Sequence, residues 1–280
     1  MRRGVMPVHG RTCRTAEAWE DGVSDDVTLD YTPAYGVAEP IAEHVRRLTA
    51  RNGGPLTFRG TNCYLLGERE ITVIEPGPDD EGHISDLLAV AGAPIRRIVV
   101  SHGHADHAGA ARRLSALTGA EVIGAAPDAM RSLYRPDRVL ADGDVVETEA
   151  GALGAAATPG HTAGHLCYDL AGRGLLFSGD HVMAWSTSVV VPPDGSMADY
   201  MASLDLLAAI GARTYLPGHG GPVVDGPARV AELKRHREAR EAAILRALDG
   251  KERTIEEIVA TVYIGLDPAL AGAAALSVRA

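Results

Sequence analysis

Residues 101–107 constrain the fold of this chain more than any other stretch of its sequence. These seven positions hold three imidazoles and one carboxylate, at His102, His104, Asp106 and His107. Nitrogen ligands with some oxygen are the set that Zn²⁺ and similar ions prefer. The apolar run 98–100 predicts a short buried strand before them, and the alanine-rich run 108–118 predicts a helix after them. We therefore expect a metal-binding loop between a strand and a helix, where α/β proteins carry their chemistry.

The alternative for this stretch is a histidine-rich surface loop that binds no metal. Four such groups on one tight loop would repel one another as cations or stay without partners, so the spacing favours a metal site. The sequence also lacks a G-x-S-x-G turn, a phosphate-binding GxxxxGK[ST] loop and a usable dinucleotide fingerprint. A side-chain nucleophile is therefore neither evident nor needed.

Three later apolar runs also end in a residue that can bind a metal. They are the glycine- and alanine-rich run 151–157 before His161, the run 175–177 before Asp180, and the run 214–216 before His219. Glycine or proline precedes each of these residues and permits the sharp turn that exposes a side chain. In a layered α/β protein the four strand ends are expected to meet along one edge.

Seven candidate ligands are too many for one tetrahedral ion and suit two. The natural division gives His102, His104 and His161 to one ion, and Asp106, His107 and His219 to the other. Asp180 is then the carboxylate that bridges the two ions. Asp106 and Asp180 are the residues that we expect to act in catalysis as well as in binding. Such a site lowers the pKa of water from ~15.7 to about 7 and supplies a hydroxide at neutral pH.

Three further residues are candidates for supporting or substrate-facing roles. Glu75 ends a predicted strand and is expected to orient a ligating imidazole through its free N–H; the alternative is a simple turn residue. His165 and His181 are candidates for supporting the ligands or facing substrate, but a structural histidine is the favoured interpretation for each. His83 and His236 fall on predicted helices and are expected at the surface.

Composition excludes several other classes of protein. The 280 residues are 46% hydrophobic with a net charge of −10, which suits a large core and disfavours a protein dominated by phosphate contacts. Cys13, Cys63 and Cys167 are too few and too far apart for a disulfide framework, so a reducing cytoplasm is expected. Cys63 and Cys167 are expected to be buried. No apolar stretch approaches the ~20 residues of a membrane span, and no signal peptide is evident.

The order of predicted elements suggests three parts: a polar arm over residues 1–26, an α/β domain over 27–226 and a small helical domain over 227–280. The main predicted elements are a hairpin over 61–74, a helix over 83–92, strands at 122–125, 145–146 and 151–157, a helix that begins after Ser196 and stops at Gly211, a long charged helix over 227–248, a helix behind a capping box at Thr254, and a last helix from Asp267.

The ordered set of ligands resembles the metallo-β-lactamase superfamily over roughly residues 55–222. The resemblance runs from the sequence of residues 102–107 through His161, Asp180 and His219. It implies an α/β fold, an αββα four-layer sandwich with a binuclear zinc site at its edge; manganese and iron are alternatives to zinc. The pair formed by Asp106 and the next residue looks like the hydroxyacylglutathione hydrolase and phosphodiesterase branches. Glu75 departs from the family, whose members usually carry Asp there.

The tail behind residue 227 is similar to the winged-helix-type tail of the β-lactamase-like hydrolases, a group that includes an animal endoribonuclease. Three functions therefore remain open. The first is a zinc hydrolase that uses a metal-bound hydroxide on a small acyl substrate such as a thioester, ester or lactone. The second is a metal-dependent endoribonuclease or phosphodiesterase, which a basic groove near Arg237 and Arg240 would favour. The third is a non-catalytic metal-binding protein. A small-molecule substrate is expected, RNA and a homodimer are left open, and no membrane partner is expected.

Overall fold

The computed structural model describes residues 29–127, 134–266 and 271–280 of the chain. The arm over residues 1–26, Cys13 and the expected start of the last helix lie outside these residues. The described part contains twelve strands in two sheets and seven helices. None of the helices in this part is both long and apolar enough to cross a membrane.

The first sheet has seven strands, which follow one another in the order of the chain. They are β1 (Glu39–Ala42), β2 (Val45–Thr49), β3 (Asn62–Leu66), β4 (Ile71–Ile74), β5 (Ile95–Val100), β6 (Glu121–Gly124) and β7 (Arg138–Val139). The pairs from β1 to β4 are antiparallel, and those from β4 to β7 are parallel. The carboxyl ends of β4, β5 and β6 consequently lie at the same edge.

The second sheet has five strands in the order β12-β11-β10-β9-β8. They are β8 (Val145–Thr148), β9 (Gly151–Ala157), β10 (Leu166–Leu170), β11 (Leu175–Gly179) and β12 (Thr214–Pro217). Strands β11 and β12 are parallel, so the loops that follow them leave the sheet at one edge; the remaining pairs are antiparallel.

The helices cover the outer faces of the sheets. They are α1 (Glu81–Ala91), α2 (Ala105–Ala108), α3 (Ala111–Thr118), α4 (Met197–Ile210), α5 (Gly226–Leu248), α6 (Ile255–Val262) and α7 (Ala271–Arg279). Apolar residues of α1 and α3 pack on the first sheet, and those of α4 and α5 pack on the second. A third cluster, which includes Tyr64, Leu153, Tyr168 and Phe177, fills the space between the sheets. The layers therefore run helix, sheet, sheet, helix, as the αββα expectation requires.

Local sequence signals explain most of the element boundaries. Asp80 caps α1 by accepting a hydrogen bond from the backbone of His83. Ser196 begins α4 and Gly211 ends it in the left-handed conformation, as predicted. Thr254 and Glu257 form the predicted capping box of α6. The predicted hairpin is confirmed as β3 and β4.

One expectation from the sequence is corrected by the structure, and another is not confirmed by it. His83 is buried rather than at the surface, because its Nε2 atom is 2.9 Å from the carbonyl oxygen of Pro76 and its ring packs on Gly77. Burial lowers the pKa of this imidazole, which favours its neutral form. Beyond Pro217 the described residues form the helices α5 to α7 and no further strand, so the likeness of the tail to a winged-helix domain is not confirmed. His236 is half-buried, whereas Cys63 and Cys167 are fully buried free thiols, as expected.

Candidate metal centre

The seven candidate ligands lie at the ends of strands from both sheets and meet at one edge of the sandwich. His102, His104, Asp106 and His107 follow β5, and the last two lie within α2. His161 lies four residues after β9, Asp180 follows β11 directly, and His219 lies two residues after β12. Backbone hydrogen bonds tie the two sheets together here: the Asn62 N–H donates to the Gly218 carbonyl oxygen at 2.7 Å.

One group of ligands brings together His102, His104, His161 and Asp180. The Nδ1 atom of His104 lies 3.0 Å from Nε2 of His102 and 3.1 Å from Nε2 of His161. Three imidazole nitrogens thus face one point from three directions. Such a convergence suits a shared cation, since the nitrogens are otherwise left to compete for protons.

A second group brings together Asp106, His107 and His219. The Nε2 atoms of His107 and His219 are 3.2 Å apart. The carboxylate atom Oδ2 of Asp106 lies 3.3 Å from Nε2 of His219 and 3.6 Å from Nε2 of His107. Two nitrogens and one oxygen form the donor set that the sequence predicts for the second ion.

Asp180 lies between the two groups, with one carboxylate oxygen toward each. Its Oδ2 atom is 3.6 Å from Nε2 of His161, whereas Oδ1 is 3.3 Å from Nε2 of His107 and 3.4 Å from Nε2 of His219. Oδ1 is buried and makes no hydrogen bond of good geometry to any described residue. A buried carboxylate oxygen without a hydrogen bond is costly. Its position between the donor groups therefore fits a metal ion on either side.

The outer nitrogens of four candidate ligand imidazoles contact other parts of the protein. Nδ1 of His107 lies 2.6 Å from Glu75 Oε2, and Nδ1 of His102 lies 2.9 Å from Ser101 Oγ. Nδ1 of His161 lies 2.5 Å from the Val189 carbonyl oxygen, and Nδ1 of His219 lies 3.2 Å from the Gly60 carbonyl oxygen. In each case Nδ1 is engaged by its protein partner, and Nε2 is the nitrogen that faces the other candidate ligands.

Glu75 holds two parts of the first loop at once. Its Oε2 atom faces His107, while Oε1 accepts a hydrogen bond from the Ser101 N–H at 2.7 Å. The carboxylate therefore lies behind the ligands, as expected from the sequence. Glu75 itself has a φ of 57°, a left-handed conformation that is unusual for a residue other than glycine.

His165 and His181 lie behind the ligand groups, and neither is among the described residues that line the neighbouring cavity. His165 Nε2 accepts a hydrogen bond from the Asp180 N–H at 3.3 Å, and its Nδ1 lies 2.9 Å from Thr158 Oγ1. His181 packs on Tyr200 with 4.5 Å between ring centroids. Burial holds the pKa of both imidazoles below the usual range, at about 3 for His181, so both are neutral.

The electrostatics of the site favour ionised carboxylates and a positive charge beside them. Burial opposes ionisation of Asp106 and Asp180, but His107 and His219 nearby lower both pKa values, to about 2 for Asp106. For His107 burial alone would lower the pKa. The carboxylates of Asp180, Asp106 and Glu75 outweigh burial and raise the pKa of His107 well above its usual value. Burial, followed by neighbouring imidazoles, lowers the pKa of His104 to about 4. Ionised carboxylates and a centre that attracts positive charge suit a metal ion, which would displace the proton that the carboxylates favour on His107.

Two glycines build the site in a way that the sequence signals only in part. A Cβ atom on Gly218 would lie 2.4 Å from His107 Cε1 and 3.0 Å from Asp180 Oδ1, so only glycine fits there. Gly179 has a φ of 49° and packs against His165. The sequence predicts a turn at each glycine that precedes a candidate ligand. It does not predict that these glycines pack against histidine and aspartate side chains from other loops, because those loops are distant in sequence.

A cavity of about 850 Å³ opens beside the ligand groups. His104, Asp106, His161 and Asp180 form its polar floor. Much of the remaining lining is apolar and includes Leu56, Ala126, Pro127, Met183, Val189 and Val191. No Lys or Arg lines the cavity in the described part of the chain. The site can therefore present a ligand-rich floor to a substrate that rests against apolar walls.

Comparison with known proteins places this site in a family. The sequence model of the metallo-beta-lactamase superfamily matches residues 56–219, which span the fold's seven candidate ligands. The chain belongs to the metallo-β-lactamase superfamily, whose members typically bind metal ions, and it is a metal-dependent hydrolase. It is also similar to particular proteins of known sequence and structure.

Two curated relatives show the range of similarity. The chain is 28% identical to an atrochrysone carboxyl ACP thioesterase from Aspergillus terreus (strain NIH 2624 / FGSC A1156), over 86% of this chain and 79% of that one. It is 32% identical to a beta-lactamase-like protein 2 homolog from Caenorhabditis elegans, over 80% and 78%. The crystal structure of a beta-lactamase domain protein from Burkholderia ambifaria matches with a TM-score of 0.77 and 22% identity, covering 90% of this chain and 89% of that one. This last likeness establishes the fold.

Proposed function

We propose that the chain is a binuclear zinc hydrolase that cleaves a small acyl substrate. In this proposal His102, His104 and His161 hold one ion, and Asp106, His107 and His219 hold the other. The observation that carries it is the position of Asp180, whose two carboxylate oxygens face different donor groups. A carboxylate in that position would be able to serve both ions.

The residues of the chain have distinct roles in this proposal. A pair of bound divalent cations would lower the pKa of water and polarise a substrate carbonyl. Asp106 and Asp180 stay ionised and orient the attacking water through their oxygens. Glu75 keeps the Nδ1 proton of His107 in place, so that Nε2 remains free to bind. His165 holds the backbone of Asp180 from behind the site.

The cavity supports a neutral acyl group as the part of the substrate that is recognised. Its walls are largely apolar, its charged lining residues are acidic, and no Lys or Arg among the described residues lines it. We therefore propose a thioester, ester or lactone as substrate. The two fungal relatives named as atrochrysone carboxyl ACP thioesterases, each 28% identical, support the thioester in particular.

The ribonuclease alternative receives less support. It would be favoured by a basic groove near Arg237 and Arg240, but the Arg237 side chain is buried, and Arg240 lies 4.3 Å from the Tyr263 ring centroid and donates to the Val262 carbonyl oxygen. Both guanidinium groups are thus engaged within the protein. A non-catalytic metal-binding role would not require an open cavity beside both donor groups.

The test combines metal analysis with a panel of substrates. We expect zinc-loaded protein to hold about two ions per chain. We expect it to cleave thioesters or lactones faster than β-lactams, phosphodiesters or short RNA. Asp180→Ala should lower both metal content and activity, the latter by at least about 100-fold, since even residues behind a metal ligand commonly contribute 10- to 100-fold. Asp30→Ala, at an exposed carboxylate, is the matched control.

Absence of bound zinc in the loaded wild-type protein, or full activity in Asp180→Ala, would refute the proposed mechanism. Preferred cleavage of RNA by the metal-loaded protein would instead establish the alternative substrate.

A further inference from the structure

The segment of residues 183–191, called here the wall segment, connects β11 to α4 and forms one side of the cavity. Met183, Val189 and Val191 contribute side chains to that side. The same segment supports a candidate ligand, because the Val189 carbonyl oxygen lies 2.5 Å from Nδ1 of His161. Since this segment has no regular secondary structure, its position depends on what holds it.

Helix α5 holds the wall segment through two arginines. Arg229 donates from Nε to the Met183 carbonyl oxygen at 3.0 Å and from Nη2 to the Ser186 carbonyl oxygen at 3.2 Å. Arg237 donates from Nη2 to the carbonyl oxygen of Ser188, the residue before the one that contacts the ligating imidazole. Eight residues separate the two arginines, so about two helical turns present them to the same segment.

Arg237 is also linked, through Tyr200 of α4, to the loops that carry two of the candidate ligands. Its guanidinium lies 5.4 Å from the centroid of the Tyr200 ring. The Tyr200 hydroxyl donates to the carbonyl oxygen of His181, which directly follows Asp180, at 3.0 Å. Gly160 precedes another ligand and packs so closely on Tyr200 that an added Cβ would lie 2.4 Å from its Cα. One side chain of α5 is therefore linked to both sides of the first donor group.

The burial of Arg237 is costly and requires compensation. Its side chain is only 8% exposed, and no carboxylate of the described residues forms an ion pair with it. A guanidinium in such a place depends on carbonyl oxygens and an aromatic face to offset the loss of water. The contacts that stabilise the buried guanidinium are made with the Ser188 carbonyl oxygen and the Tyr200 ring. The same contacts therefore hold the wall segment and α4 in place.

We propose that Arg237 is a positioning residue of the metal centre. It fixes the wall segment, and through the Val189 carbonyl oxygen it sets the tautomer and direction of His161; Arg229 supports the same segment further along. The proposal rests on the proposed function, because His161 must be a metal ligand for this role. It also means that a helix outside residues 56–219, the range matched by the family, shapes the site.

The test compares variants at two arginines of α5. Arg237→Met removes the donor and the charge. Arg237→Lys keeps the charge but lacks the planar fork that donates to a carbonyl while stacking on a ring. Arg235→Met is the matched control, because Arg235 lies on the exposed face of the same helix. Zinc affinity is measured by competition with a chelator, and the ligand field is measured from the absorption spectrum of the cobalt-substituted protein.

We expect Arg237→Met to bind one of its two ions 10- to 100-fold more weakly and to change the cobalt spectrum. Arg237→Lys should recover part of the affinity, and Arg235→Met should match the wild type. Wild-type affinity and spectrum in a folded Arg237→Met variant would overturn the inference. If that variant does not fold, unchanged affinity and spectrum in Arg237→Lys would overturn it equally. Loss of metal binding by the wild type itself would instead refute the proposed function.

Discussion

At the scale of single residues, the candidate centre depends on positions where a side chain is absent. Gly218 allows the loop after β12 to approach His107 and Asp180 within van der Waals contact. Gly179 lets β11 end in a left-handed turn directly before Asp180. Both glycines therefore bring donor groups from different strands together, which a residue with a Cβ atom would prevent.

Gly218→Ala is expected to impair the centre because its Cβ would overlap His107 Cε1 at 2.4 Å. The neighbouring loops must then move, and such overpacking typically costs about 1–3 kcal/mol of stability. We expect zinc affinity to fall at least about tenfold, as for other changes behind metal ligands. Gly154→Ala in β9 is the matched control, since its nearest neighbour would be 3.9 Å away. Equal zinc affinities in a chelator competition would show that the close approach is unimportant.

The ligand types could be predicted from the sequence because each follows an apolar run that becomes a strand. The supporting contacts could be predicted only in part. Glu75 was expected behind an imidazole, but its second hydrogen bond, to the Ser101 N–H, depends on the pairing of β4 with β5. His83 was expected at the surface because a helix pattern does not reveal that the Pro76 carbonyl oxygen lies within hydrogen-bonding distance of its ring. The roles of the site residues in metal binding remain predictions.

At the scale of elements, the sequence revealed strands with continuous apolar runs and missed those with charges. Arg46 and Arg47 interrupt the apolar pattern of β2, so the sequence does not reveal this strand. In the structure both charges have partners: Arg46 donates to the carbonyl oxygens of Val90 and Ala91, and Arg47 pairs with Glu39 at 3.0 Å. Strand β10 was missed for another reason: it begins directly after His165 and has no separate turn signal. Both strands are interior members of their sheets, so only tertiary pairing identifies them.

Glu149, in the turn between β8 and β9, holds the turn between β3 and β4. Its Oε2 atom accepts hydrogen bonds from the backbone of Glu68, Arg69 and Glu70 at 2.8–3.1 Å, and Oε1 lies 2.7 Å from Nε of Arg69. The hydrogen bond from the Arg69 side chain, followed by those from the backbone of Arg69, Glu68 and Glu70, holds the pKa of Glu149 well below its ordinary value of 4.5. One carboxylate thus links the two sheets at this end of the sandwich.

Glu149→Gln is expected to lower the melting temperature in a pH-dependent way. The folded protein lowers this pKa, so the stabilisation by the carboxylate is fully present above pH 4.5 and is lost as pH falls through the folded value. The difference in melting temperature between wild type and variant should therefore be constant near neutral pH and shrink below pH 4.5. Glu147→Gln, at an exposed side chain of β8, is the control. A difference that grows on acidification would contradict the assigned direction.

At the scale of the whole molecule, α5 belongs to two packing units. Val230 and Leu233 in its first half pack with Leu204 and Tyr215 in the core between α4 and the second sheet. Its last turn packs instead with α6 in a small cluster around Ala247, Ile258 and Val262. The boundary predicted between residues 226 and 227 remains a prediction, but a cut there would remove part of the core and both arginines that hold the wall segment.

Leu233→Ala and Ile258→Ala should therefore destabilise different parts of the protein. Leu233 is 1% exposed in the core of the sandwich, so its truncation should cost about 2–5 kcal/mol of global stability. Amide exchange should then accelerate throughout α5, β11 and β12. Ile258 packs only in the small cluster, so its truncation should accelerate exchange in α6 and α7 while leaving β11 and β12 protected. Equal acceleration of β11 by both variants, measured by hydrogen exchange with mass spectrometry, would mean that the tail unfolds together with the sandwich. In that case the C-terminal helices would be an integral layer of the hydrolase fold, with the metal centre depending on the whole of α5 to α7.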